Sequence, residues 1–164
     1  MFGTPTRKLV LAVAAVAATL TATIGIAGAR DGDRSISVKG SFVATNFSGP
    51  ECPSPLGLCA RGTFKGTLHG PVVASVTSVE PTSQPSVSLI VADLVIDDPR
   101  GELRCAETVV ANLTPGSDAE EAFICQFTGG TGKWAGVTGH IEAYGSAVGG
   151  QEGSGRYEGR LVLP

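Results

Sequence analysis

The chain lacks the signatures that most directly announce a chemistry. No serine sits in a nucleophile elbow, and no Ser-His-Asp arrangement can be drawn. The cysteines never take the two-residue spacing of a zinc knuckle, and the only histidines, His69 and His140, belong to no ligand pattern. Heptads are absent and long helix formers are few, which excludes a coiled coil and leaves no segment that reads as a helix beyond the N-terminal stretch. A basic excess is missing too. Taking Arg7 and Lys8 from the 12 basic residues leaves 10 against 15 acidic ones, a net of −5, which argues against nucleic acid and anionic lipid as partners.

What is present begins with a leader. Arg7 and Lys8 precede an apolar run from Leu9 to Ala29 that closes on Ala27-Gly28-Ala29, the small-x-small pattern of a signal-peptidase site. The competing reading is an uncleaved membrane anchor, since a run of 21 residues could span a bilayer. The cleavage site favours export, with residues 1–29 as signal peptide and 30–164 as a single secreted domain. No cysteine follows the cut, so no lipid anchor is expected, and no membrane contact is expected after cleavage. All four cysteines (Cys52, Cys59, Cys105 and Cys125) fall in the exported part and read as two disulfides rather than a metal site.

Glycine is abundant, 23 of 164 residues, and the exported part alternates with period two. Ile36, Val38, Gly40, Phe42 and Ala44 oppose Ser37, Lys39, Ser41, Val43 and Thr45. The segments 60–69 and 154–163 repeat the pattern. Breaks at Gly, Pro, Ser and Asp divide the domain into eight strands: 36–47, 60–69, 71–80, 86–97, 102–113, 120–128, 137–146 and 154–163. Short connections favour antiparallel neighbours. The expected fold is all-β, an eight-stranded antiparallel barrel, with a two-sheet sandwich as the runner-up. Inward glycines favour the barrel, because strongly coiled strands need them where they bend.

Composition alone leaves three disulfide pairings open. Register narrows them. Taking Pro115 as the midpoint of the turn between strands 102–113 and 120–128 sets Cys105 opposite Cys125, Glu107 opposite Phe123, and Leu103 opposite Phe127. Cys105 then pairs with Cys125, and Cys52 with Cys59 across the loop CPSPLGLC.

The stretch FTGGTGKWAGVTG invites a nucleotide reading and fails it. Lys133 is followed by Trp134 rather than Ser or Thr, and Phe127 stands where a P-loop needs its first glycine. A dinucleotide fingerprint requires a helix to follow, and none can start on Gly136 and Gly139. The stretch therefore reads as a tight turn, with glycines at positive φ and Trp134 capping one end of the core. No cofactor is expected.

GGTGKWAGVTG resembles the Gly-Gly-Thr-Gly-basic-aromatic signature of the allene oxide cyclase and dirigent barrels, and GSGRYEGRLVLP is similar to the last strand of bacterial secreted relatives. The resemblance implies an eight-stranded barrel, often trimeric, with an apolar lumen in which plant relatives steer cyclisation or radical coupling largely by shape. It carries no catalytic residues across. The polar constellation of the plant cyclases has no counterpart, and the dirigent Ala-Arg-Gly step is Val137-Thr138-Gly139 here.

Phase within the strands nominates a lumen lining of Phe42, Phe64, Leu89, Glu107, Phe123 and Tyr157 for a small apolar ligand. Glu107 shares its face with Leu103, Cys105 and Val109, so its carboxyl should be desolvated and its pKa raised; it is the candidate acid/base if the barrel is a cofactor-free isomerase or cyclase. A structural envelope protein with a filled barrel is the third reading. His140, Glu142 and Tyr144 share a face that reads as solvated. Strand 86–97 is apolar on both faces, which suggests a lumen on one side and a second copy of the chain on the other.

Overall fold

The computed structural model describes residues 33–114, 118–148 and 151–164; the expected signal peptide (residues 1–29) and the expected turn at Pro115-Gly116 lie outside the described residues. The alternating segments form eight strands: β1 (Arg34–Phe47), β2 (Cys59–Gly66), β3 (Gly70–Pro81), β4 (Val87–Asp98), β5 (Gly101–Asn112), β6 (Ala119–Gly130), β7 (Thr138–Val148) and β8 (Glu152–Leu163). Each pairs antiparallel with the next, and β1 also pairs with β8, from Arg34 opposite Leu163 to Thr45 opposite Glu152. The sheet closes into a barrel, so that every strand has a neighbour on both sides. Apart from the strands, the described residues hold one 3-10 turn, Gly132–Trp134.

The inward set follows the period-two phase. Val38 and Phe42 of β1, Phe64 of β2, Leu103, Cys105, Glu107 and Val109 of β5, Phe123, Cys125 and Phe127 of β6, and Tyr157 and Leu161 of β8 are all buried. In β4 the inward phase belongs to Ile90, Ala92, Leu94 and Ile96. Leu89 faces outward instead, opposite Glu80 and Val110. With both faces apolar, the pattern of that strand contained no contrast to set its phase.

The β5–β6 register also differs from expectation, by two residues. Cys105 stands opposite Phe127, Glu107 opposite Cys125, and Leu103 opposite Gly130, with an irregularity between Arg104 and Cys105. An even shift keeps every side chain on its face, so both cysteines still point inward. The disulfides are Cys105–Cys125, a diagonal cross-strand pair with Cα atoms 5.6 Å apart, and Cys52–Cys59, with Cα atoms 5.7 Å apart.

One end of the barrel is shut. In the glycine stretch, Gly132 takes φ 56°, and a Cβ there would lie 2.5 Å from the Arg100 carbonyl oxygen, so the turn depends on glycine at this position. The Lys133 N–H donates to that carbonyl (2.9 Å), the Thr131 N–H donates to the Glu102 carbonyl (2.8 Å), and the Glu102 N–H donates back to the Thr131 hydroxyl (3.0 Å). This drives the Trp134 ring into the barrel end, fully buried. Arg100 lies over its outer face, guanidinium carbon 4.6 Å from the ring centre. Asp98, buried beside it, accepts from the His69 N–H (3.1 Å), the Arg100 N–H (2.9 Å) and the Arg100 guanidinium (2.7 Å to Nε and 2.7 Å to Nη2). Burial alone would raise the Asp98 pKa; the hydrogen bonds and charge of Arg100 outweigh it and hold the carboxyl at about 2.

Candidate functional site: a lumen open at one end

The opposite end, where β1 finishes and β2 begins, opens into a cavity of about 560 Å3. That size lies within the range typical of small-molecule sites. Its floor is aromatic. Phe42 stacks on Phe64 with centroids 5.9 Å apart and meets Phe123 edge-on at 5.3 Å. Beneath Phe64 lies Tyr157, centroids 4.9 Å apart. The walls carry Val72, Ala74, Ile90, Ala92, Leu94 and Val109. Polar groups are few: Asn46, Ser48 and Gln151 beside the opening, and the carboxyls of Glu107 and Glu121.

The rim is held by the loop between β1 and β2. Its Cys52–Cys59 bridge ends on a cavity-lining residue. Ser54, buried, donates its hydroxyl proton to the Val76 carbonyl (2.5 Å) and accepts from the N–H groups of Leu56 (3.1 Å) and Leu58 (3.3 Å). The Val76 N–H donates to the Leu58 carbonyl (3.0 Å), next to the irregularity between Val76 and Ser78 in β3. Cavity-lining Leu58 is therefore held at both of its backbone groups, the N–H by the Ser54 hydroxyl and the carbonyl by the Val76 N–H.

Glu107 is buried on β5 between Cys105 and Val109 of the same face. Burial pushes its pKa up to about 7, with the charge of Glu121 adding to the shift. Burial likewise raises Glu121. Neither carboxyl has a hydrogen-bond partner among the described residues. A carboxyl that titrates near neutrality can donate a hydrogen bond, accept one, or move a proton.

Of the six nominated lining residues, the fold brings together Phe42, Phe64, Glu107 and Phe123. Tyr157 lies below the floor, its hydroxyl committed to backbone, and Leu89 is on the outer surface. Sequence reasoning missed Glu121, although it shares the phase of Phe123, Cys125 and Phe127. His140, Glu142 and Tyr144 are exposed on the outer face. Among the described residues no three His, Cys, Asp or Glu are grouped to hold a metal ion, and no helix is long and apolar enough to cross a membrane. Neither the family models, the curated proteins nor the solved structures include a match to this chain.

Proposed function

We propose that this is a secreted barrel that binds a small apolar ligand in its lumen. One observation carries the reading: the cavity of about 560 Å3 is floored by Phe42, Phe64 and Phe123 and open to solvent at one end only. An eight-stranded barrel can be packed solid with side chains; an apolar space of this size left in one speaks against the packed structural reading. The two disulfides fit an oxidising, extracellular setting. The allene oxide cyclase and dirigent resemblance agrees with a barrel that works by the shape of its lumen. Native mass spectrometry of the secreted protein from its own source tests the reading, by a retained small molecule that is lost when Ala74→Trp fills the cavity. Retention of that molecule by the filled variant would remove the lumen as the site.

A second reading, a cofactor-free isomerase or cyclase, is favoured by Glu107 alone, a desolvated carboxyl against an apolar cavity. Glu107→Gln keeps the shape and removes the proton; unchanged turnover in that variant would end the enzyme reading.

The outer face of β4–β6 supports self-association as a further element of the proposal. Leu89, Val110, Ala122 and Tyr144 form one cross-strand row, next to Val91, Thr108 and Ile124. A second copy of the chain seated there would bury them, and the resemblance would make the assembly a trimer.

A further inference from the structure

We propose that the lumen selects ligands that join an apolar body to a protonated amine, and that it discriminates against apolar carboxylates. The inference rests on the ligand-binding reading and adds the ligand's chemical class. The cavity lining holds two carboxyls, Glu107 and Glu121, and no lysine, arginine or histidine. Glu107 is 6% exposed, lines the cavity, and has no hydrogen-bond partner among the described residues. An ammonium group brings three donors and the opposite charge to two acceptors that the protein leaves unmatched. A ligand with no donor would seal Glu107 away from water and leave it unpaired, an alcohol would offer one donor and no charge, and a carboxylate ligand would add a third acidic group to the same space. The faces of Phe42, Phe64 and Phe123 suit both the apolar body and the cation.

A second observation points the same way. The open end carries Glu51, Glu80, Glu120 and Glu152 against Arg61, which pairs with Glu51 at 3.7 Å, whereas at the shut end Asp97, Asp98 and Glu102 are offset by Arg34, Arg100, Lys133 and Arg160. An acidic mouth concentrates cations at the opening and repels anions. Among the lining residues the titratable groups facing a bound ammonium are Glu107 and Glu121 alone. Occupation by an ammonium would reverse the upward shift of Glu107, so amine binding near pH 7 should expel a proton.

The test compares decylamine, decanol and decanoic acid by isothermal titration calorimetry on the secreted protein at pH 7. Decylamine should bind about tenfold or more tighter than decanol, with decanoic acid weakest. Its enthalpy should vary with the ionisation enthalpy of the buffer, reporting proton release, and that of decanol should not. In the Glu107→Gln/Glu121→Gln double variant the amine advantage should vanish while decanol binding persists. Decanol or decanoic acid binding as tightly as the amine, proton-neutral amine binding in the wild-type protein, or an amine advantage that survives the double variant would each overturn the proposal and leave the lumen as a binding site. Binding of none of the three would overturn the proposal together with the ligand-binding reading beneath it.

Discussion

The hydroxyl of Tyr157 on β8 accepts a hydrogen bond from the Leu68 N–H at 3.0 Å and donates to the Leu68 carbonyl at 3.0 Å, joining the last strand to the β2–β3 connection 89 residues earlier. Both Leu68 groups are buried and have this one phenol between them. Tyr157→Phe would leave them unpaired and should cost about 1–3 kcal/mol in urea unfolding. Tyr144→Phe, on the outer face and 62% exposed, should change stability by less than about 0.5 kcal/mol. Equal effects of the two substitutions would show that the Tyr157 bonds do not hold the shut end together.

Asp98 sets the acid limit of the same end. Its folded pKa of about 2 lies below the ordinary 3.8, so its contribution is fully present above pH 4 and is lost as pH falls toward 2. Asp98→Asn should lower stability at pH 7 by about 2 kcal/mol and flatten the pH dependence between about 4 and 2. Chemical denaturation of both proteins at pH 7, 4 and 2.5 reads this directly; parallel curves across that window would refute the assignment.

These two residues also mark where the sequence was legible. Breaks at Gly, Pro, Ser and Asp divide the domain into the eight segments that form the strands, and alternation sets the inward face wherever a wet face opposes a dry one, as in β1, β2 and β8. It fails at β4, where Leu89 and Ile90 are equally apolar and only the folded register separates them. The disulfides survive a register shifted by two because face, not partner, is what an even shift preserves. Asp98 continues the inward phase of Leu94 and Ile96, but it stands in the turn segment Asp98-Pro99-Arg100-Gly101, where alternation gives no reason to look. The closed end was legible in Trp134, set among turn glycines and fully buried as expected; the open end was not, because nothing in the CPSPLGLC pattern says that the Ser54 loop stays beside the other mouth.

Glu107 should make the protein less stable in base than its fold alone would allow. Its folded pKa, about 7, exceeds the ordinary 4.5, so the stability tied to its neutral form is complete below pH 4.5 and declines as pH rises to about 7, then levels off. Glu107→Gln removes the charge that burial opposes. At pH 8 the variant should be more stable than wild type by roughly 2–3 kcal/mol, and at pH 4 nearly equal to it. A variant weaker than wild type at pH 8 would mean that the carboxylate has a partner in solution that compensates for its burial.

The outer face of β4–β6 makes the last prediction. Val110 and Ile124 are each 48% exposed, and they belong to adjacent cross-strand rows that run from β4 toward β7. Isolated exposed apolar residues are common, but contiguous rows on one sheet face are the usual mark of a covered surface. If a second copy covers it, light scattering at micromolar concentration should return a multiple of the subunit mass. Ile124→Asp would place a charge in the contact and should return the single-subunit mass with the barrel intact by circular dichroism. A single-subunit mass for the wild-type protein across the micromolar range would refute self-association through this face and leave the lumen, on the other side of the same strands, untouched.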